Sequence, residues 1–367
     1  MTELKGYGEP LYTFSVPEEL QNVDWLQEAN RSRIQFDQSG VLGSVTVTEC
    51  PSLSYGTNQV VALRADQLPG RGFKFLSAGT AIAKLAADGQ KEIVFATAGT
   101  YGIAAGIALK KNRGNGTAII PVGSNKEKKE SMEELGLRVI EKGQNVDESL
   151  NYAYEYAEKN NVTFLHPFAD PGNIAGTGVL GLLAAELRSD VTHLITQYGG
   201  GSLSSGMLSV YNGLRPEVVK TVVQVAGCSP FVDSLRTGEI KDANDVDYSF
   251  RGGRSFFQKL GGVGVGKLNT MTLGLASRVT DEVSKVPMDH VYATMHDVQT
   301  DLGVLPEFAA AVGLESARRL ARTMHVSKAT ILAVVTGAKP DQYRNGYLAR
   351  LSARRKADEQ FSRWGKF

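Results

Sequence analysis

Cysteine is scarce in this chain: Cys50 and Cys228 are the two present in 367 residues. They stand far apart in unlike contexts, so neither a disulfide framework nor a thiolate metal site is indicated. Net charge is almost absent, with 40 lysines and arginines against 39 aspartates and glutamates. That excludes a function driven by long-range attraction to nucleic acid or to an anionic membrane. Long hydrophobic runs are missing too. The longest, around Val179 to Leu187 and Ile331 to Val335, fall well short of the roughly 18 residues of a membrane span. The polar opening Met1 to Gly6 is not followed by an apolar stretch of signal-peptide length, so a cytoplasmic protein is expected. No repeat and no Pro/Ser-rich linker divides the chain, so any two domains must interleave. The histidines, His166, His193, His290, His296 and His325, show neither metal-ligand spacing nor a partnered serine, and no metal is expected.

Glycine, by contrast, is abundant: 40 residues, about 11% against a usual share of about 7%. Tight turns and close backbone approach to a ligand are its natural uses. Short β-branched runs alternate with stretches of helical period, which predicts an α/β protein with mostly parallel strands and helices on both sheet faces. Strands are expected at Val60 to Leu63, Ile93 to Ala96, Ala118 to Val122, Val162 to Leu165, His193 to Gln197, Thr221 to Ala226 and Ile331 to Val335. Helices are expected at Ser77 to Ala87, Ile103 to Lys111, Lys126 to Leu135, Val146 to Lys159, Asn173 to Leu187, Leu203 to Asn212 and Glu307 to Thr323. The glycine clusters fall where strands end, where open α/β sheets bind their ligands. The mixed-sign run Lys126 to Glu130 has the spacing of a solvated helix face that binds nothing. The basic tail from Lys339 carries Tyr343, Tyr347, Leu351, Phe361 and Trp364 and is expected to dock as a terminal helix.

Three segments carry chemistry. Gly199, Gly200, Gly201, Ser202 and Leu203 follow the His193 strand and precede a helix. Bare backbone there lets several N–H groups converge on one anion, reinforced by the helix dipole; the alternative is a flexible tight turn. The segment lacks a P-loop lysine and a dinucleotide spacing. Thr97, Ala98, Gly99, Thr100 and Tyr101 follow the Ile93 strand and open the next helix. Hydroxyls and free N–H groups there suit a carboxylate, the alternative being helix capping by Thr97 or Thr100. Lys74, between Gly72 and Phe73 on one side and Phe75 on the other, is a candidate nucleophile if its apolar setting removes its proton, and an ordinary surface lysine otherwise. The run Gly261 to Gly266 has no preceding strand and suggests a turn at a pocket edge.

Taken in order, glycine-flanked Lys74, Thr97 to Gly102, His166-Pro167-Phe168-Ala169-Asp170-Pro171, Gly199 to Leu203 and Thr336-Gly337 resemble the pyridoxal phosphate enzymes of fold type II, the tryptophan synthase β-subunit superfamily. Glu49 to Leu53 stands where these enzymes have a Pro-Thr-Pro-Leu-like turn. Ile174-Ala175-Gly176 and Pro306-Glu307-Phe308-Ala309-Ala310 are similar to segments of threonine dehydratases, Thr336 to Lys339 to threonine synthase, and Gly262 to Gly266 to cysteine synthases.

The resemblance implies two interleaved, open, mostly parallel sheets, with residues 1–92 and 168–367 as a large cofactor domain and 93–167 as a small mobile one. It implies pyridoxal 5′-phosphate joined to Lys74 as a Schiff base, its phosphate on Gly199, Gly200, Gly201, Ser202 and Leu203, and its ring nitrogen on Thr336. The substrate carboxylate would lie on Thr97, Ala98, Gly99, Thr100 and Tyr101. Thr100 would also adjoin the cofactor, at the position where the family usually has asparagine. Gly72 stands where serine is usual and Leu76 where many members have arginine. Ala98 occupies the position of the serine base of the racemases, so racemisation is not implied. A hydroxyl at position 336 makes a weaker electron sink than a carboxylate, which favours prompt loss of a β-substituent. The expectation is therefore β-elimination by an amino acid lyase acting through an aminoacrylate, in a cytoplasmic homodimer. β-Replacement to build a specialised amino acid is the alternative, and a non-catalytic cofactor- or partner-binding homologue is a third reading from another class.

Overall fold

A computed structural model describes residues 11–97, 99–242, 260–324, 328–339, 350 and 352–356. Ala98, His325, the opening residues Met1 to Gly6, and Tyr343, Tyr347, Leu351, Phe361 and Trp364 of the tail lie outside the described residues.

The strands in chain order are β1 (Val47–Glu49), β2 (Gln59–Leu63), β3 (Glu92–Ala96), β4 (Asn115–Ile120), β5 (Arg138–Glu141), β6 (Thr163–Phe164), β7 (His193–Gln197), β8 (Val219–Val225), β9 (Glu282–Val286), β10 (Leu305–Pro306), β11 (Thr330–Val334) and β12 (Ala338–Lys339). The helices are α1 (Trp25–Asp37), α2 (Lys74–Ala87), α3 (Thr100–Lys111), α4 (Lys126–Glu134), α5 (Val146–Asn160), α6 (Pro171–Leu187), α7 (Ser202–Leu214), α8 (Pro230–Thr237), α9 (Thr270–Arg278), α10 (Met288–Asp297), α11 (Gln299–Leu302) and α12 (Phe308–Thr323). Each strand and helix expected from the sequence has a counterpart, with ends displaced by a few residues.

Two sheets organise the chain. One runs β1-β2-β11-β7-β8-β9, parallel except for β1; the other, β5-β4-β3-β6, is parallel and lies in sequence between β2 and β7 of the first. The central strands β2, β7 and β11 are almost wholly buried, which is why their sequences are continuous apolar runs rather than alternating ones. Edge strand β9, Glu-Val-Ser-Lys-Val, is only half-buried and has no such run. A short antiparallel pair, β10 with β12, closes over the end of the larger sheet.

Local chemistry fixes the start of α6. Asp170 caps α6 by accepting from the N–H groups of Gly172 and Asn173 at 2.8 and 3.1 Å, with Pro171 at the first helical position, an arrangement that stabilises by about 1 kcal/mol. Buried Asn173 then joins three elements. Its amide oxygen accepts from Ser77 of α2 at 2.7 Å and from Tyr101 of α3 at 3.2 Å, and its amide nitrogen donates to the His166 carbonyl at 2.8 Å. The described part of the tail is docked: Arg355 pairs with Glu315 at 3.1 Å and with Asp297, and Ser352 donates to Asp297.

Candidate active site

The segments that follow β2, β11 and β7 in one sheet and β3 in the other are in contact with one another, and they are the ones singled out from the sequence. Thr336-Gly337, just beyond β11, is the meeting point. Gly72 bridges to Gly337, and the N–H of Phe73 donates to the Thr336 carbonyl at 3.2 Å. The N–H of Glu307 donates to the Gly337 carbonyl at 2.9 Å. A Cβ at Gly72 would lie 2.7 Å from the Thr336 carbonyl oxygen and 3.5 Å from a Thr100 methyl. A side chain at position 72 would therefore press on backbone that cannot yield, which gives a physical reason for glycine there.

Lys74 opens α2. Its ammonium lies 4.5 Å from the centre of the Phe73 ring and 3.4 Å from where a Gly262 Cβ would stand. Removal from water lowers its pKa to about 8; the Glu307 carboxylate resists that fall and the like charge of Lys128 adds to it. An amine in this range is available as a base or nucleophile near neutral pH.

The loop Gly199 to Leu203 is a bare cradle. A Cβ at Gly199 would collide with the Gly262 carbonyl and one at Gly200 with the Phe168 ring. Gly201 has φ +93°, and a Cβ there would meet Tyr198 Oη at 2.5 Å and Thr272 at 2.6 Å. Among the described residues no backbone carbonyl outside the helices and strands takes the N–H groups of Gly199, Gly200, Gly201, Ser202 or Leu203, and Ser202 begins α7. Converging N–H groups at a helix start hold a phosphate. The glycine turn at Gly261–Val263 is what packs against this loop, as expected of a pocket edge.

Thr336 is buried, and its Oγ1 accepts from Gln197 Nε2 at 3.0 Å. The same amide nitrogen donates to the Val334 carbonyl at 3.2 Å, so the amide cannot be reversed without setting two oxygens against each other. With its acceptor capacity engaged, the Thr336 hydroxyl has its hydrogen to give. That suits an acceptor such as an unprotonated pyridine nitrogen. Together the cradle, the lysine and this donor fit pyridoxal 5′-phosphate.

The carboxylate turn differs in part from expectation. Thr97 Oγ1 accepts from the N–H groups of Gly99 and Gly102 at 2.9 and 3.1 Å, so its hydroxyl satisfies a first-turn N–H of α3 from two residues before the N-cap position, Gly99, and Gly99's N–H is engaged. Tyr101, expected to hold substrate, turns its ring into the core against Phe95 and gives its hydroxyl to Asn173; burial raises its pKa. Only its backbone N–H, in the first turn of α3, remains for an anion. Thr100 stays partly exposed.

The sequence reading missed two residues. Lys128 belongs to the run expected to be a solvated face that binds nothing. Lys126 and Lys129 do behave so, pairing with Glu130 at 3.4 Å and Glu141 at 2.7 Å. Lys128 instead has its ammonium 3.3 Å from Thr100 Oγ1 and 3.6 Å from Glu307. Nothing in the one-dimensional pattern separates it from its neighbours. Glu307 was visible only as part of a family-like segment. Gly337 leaves room for its carboxylate, since a Cβ there would stand 2.8 Å from Oε2.

Two mostly parallel sheets interleaved in sequence, with a lysine, a bare glycine loop and a hydroxyl donor on the segments that follow their strands, define the class of fold type II pyridoxal phosphate proteins. The sequence profile of the pyridoxal-phosphate dependent enzyme family matches residues 39–337, and the chain belongs to that family. It is 25% identical over 282 residues to the biosynthetic L-threonine dehydratase of Haemophilus influenzae, covering 77% of this chain and 53% of that protein. It is 28% identical over 291 residues to an L-threonine ammonia-lyase of Thermotoga maritima, covering 79% and 69%. The chain thus spans about half the length of several curated relatives it matches. Its fold is that of threonine deaminase isoform 2 from Solanum lycopersicum, with a TM-score of 0.77 at 20% identity over 96% of this chain and 93% of that one. Diaminopropionate ammonia lyase from Escherichia coli superposes with a TM-score of 0.74 at 15% identity, over 94% and 98%.

Proposed function

We propose that this protein is a pyridoxal phosphate-dependent lyase that removes a β-substituent from an amino acid, giving a keto acid and ammonia. The observation that carries this reading is that Gly72–Phe73, just before the buried-amine candidate Lys74, is hydrogen-bonded to Thr336-Gly337, where Thr336 carries a neutral hydroxyl whose Oγ1 accepts from Gln197. When bound, pyridoxal phosphate supplies an electron sink conjugated to the substrate's Cα. Lys74 would take the Cα proton, and the burial that lowers its pKa in the cofactor-free chain favours the neutral amine that this role needs. Thr336 would offer the ring nitrogen a neutral hydrogen-bond donor rather than a carboxylate, a weaker partner that would favour loss of a β-substituent over chemistry that needs a long-lived carbanion. The glycine cradle fixes the phosphate, and Thr100 with the N–H groups at the start of α3 orients the carboxylate. Relatives named threonine dehydratase, threonine ammonia-lyase and diaminopropionate ammonia lyase support a hydroxyl or amine as the leaving group.

The substrate would bridge residues of both sheets, so residues 93–167 would close on the rest of the chain as a small mobile domain. A homodimer and a cytoplasmic location are part of the same proposal; Cys50 and Cys228, both buried and not joined in a disulfide, accord with the location. Among the described residues no helix is long and apolar enough to cross a membrane. The test is product analysis of the cofactor-loaded protein with L-serine, L-threonine and 2,3-diaminopropionate, with and without an added thiol. From serine or threonine, equal amounts of keto acid and ammonia are expected, and from 2,3-diaminopropionate two ammonia per keto acid, because its leaving group is itself ammonia; none of these should change with the thiol. A new thioether amino acid in place of keto acid would assign β-replacement instead.

A further inference from the structure

We infer that Lys128 is the cation that receives the substrate's α-carboxylate, and that Glu307 is the partner it leaves to do so. The inference rests on the amino acid substrate proposed above and adds a residue from outside the segments that supply the other contacts.

The turn at the start of α3 is an incomplete anion site by itself. Thr97 Oγ1 has already taken the N–H groups of Gly99 and Gly102, leaving the Thr100 hydroxyl and the remaining first-turn N–H groups. A carboxylate held by so few neutral donors would be weakly bound, whereas a charge-assisted bond is roughly twice as strong as a neutral one. Lys128 supplies that charge at the right place, 3.3 Å from Thr100 Oγ1. Its route there is built into the backbone. The lysine stem crosses Gly99, where φ is +139° and where an added Cβ would collide with Lys128 Cδ. Any side chain at position 99 would push the lysine away from Thr100.

The Lys128–Glu307 pair is suited to exchange. At 3.6 Å it is longer than a hydrogen-bonded ion pair, and its side chains are 37% and 29% exposed. Pairs of this kind are worth about 0–1 kcal/mol, so an incoming carboxylate can replace Glu307 at little cost. Glu307 itself is anchored through its backbone to Gly337 and remains within electrostatic reach of Lys74. α4 lies in sequence between β4 and β5 of the smaller sheet, whereas Glu307 follows β10, paired at the end of the larger one. The exchange therefore moves a charge from a link between the two sheets to a link through the substrate.

The test is binding, with ligands that have no β-leaving group, so turnover does not intrude. Cofactor-loaded protein is titrated by calorimetry with L-alanine and with L-alaninamide, which lacks the carboxylate charge. The parent protein is expected to prefer alanine; in Lys128→Met that preference should fall about tenfold, the size of one lost charge-assisted bond at a partly exposed site. Lys128→Arg should keep most of it, and Glu307→Gln should keep all of it. A folded Lys128→Met protein that holds its cofactor and discriminates as the parent does would overturn the inference while leaving the proposed function intact. If the parent binds neither ligand, the amino acid substrate itself is wrong and this inference falls with it.

Discussion

The loop Gly199 to Leu203 and the turn Thr97 to Tyr101, the two proposed anion sites, both follow a parallel strand and both open a helix, yet they are built differently. In the first, bulky neighbours forbid any side chain: the Gly262 carbonyl, the Phe168 ring and Tyr198 occupy the space where Cβ atoms would stand. What remains is fixed backbone whose N–H groups, among the described residues, meet no backbone carbonyl outside the helices and strands. In the second, a threonine hydroxyl consumes two N–H groups, and the missing attraction comes from a half-exposed lysine on another helix. Fixed dipoles need no reorganisation and suit a ligand that stays. A mobile charge with an alternative partner suits one that arrives and leaves. Lys74 lies between the two, within the electrostatic reach of both Glu307 and Lys128.

Damage to the cradle should give the larger effect. Gly200→Asp would drive a side chain into Phe168 and place a negative charge at the proposed phosphate site, a like-charge contact sharpened by burial. Cofactor affinity, followed by absorbance during titration, should fall at least about 100-fold while the circular dichroism of the fold persists. Undiminished affinity would reduce the loop to a structural turn.

The lysine between the sites should show itself in stability. In the cofactor-free protein its folded pKa of about 8 lies below the ordinary 10.5, so below pH 8 a charge is buried at a cost. Between pH 8 and 10.5 the unfolded chain binds more protons than the folded one, and stability rises with pH. Lys74→Met removes this cost. It should therefore stabilise the cofactor-free protein at pH 7 by roughly 1–3 kcal/mol, allowing for partial exposure of the side chain. Denaturant melts should show that advantage shrinking from pH 8 upward. A difference constant with pH would mean that the ammonium is solvated.

The smallest effect is expected at the turn. Thr97→Val keeps the shape of the side chain but removes the acceptor for Gly99 and Gly102, a loss of about 1 kcal/mol. Cofactor affinity should stay at the parent value, while KM for the amino acid rises severalfold as the turn loosens. A fall in cofactor affinity matching that of Gly200→Asp would erase the distinction between the two sites.

How much of this was legible in the sequence follows from the kind of signal each part leaves. Buried central strands leave continuous apolar runs, and β2, β7 and β11 were readable for that reason. Edge strand β9, half-buried and carrying Glu282 and Lys285, leaves none; nor does β5, whose four residues are intermediate or exposed. Strand-end glycines marked the cradle because the need for bare backbone is written in residue type. The turn was harder. Thr97 and Tyr101 have the right chemistry for a carboxylate, and only packing reveals that one hydroxyl accepts from the N–H groups of its own turn and the other is committed to Asn173. Lys128 left no signal. A lysine that reaches another segment and one that pairs along its own helix look alike in sequence, and what separates Lys128 from Lys126 is the position of Glu307, almost 180 residues away.

The central claim is that Lys74 is the attachment point of the cofactor, set between a fixed and an exchangeable anion site. It is tested most directly by borohydride reduction of the purified, cofactor-loaded protein, followed by peptide mapping by mass spectrometry. The pyridoxyl mass should appear on the peptide containing Lys74, and should be absent from a folded Lys74→Ala protein that still takes up cofactor weakly through the glycine cradle. The same mass on a peptide bearing another lysine, with the Lys74 peptide unmodified, would contradict the account.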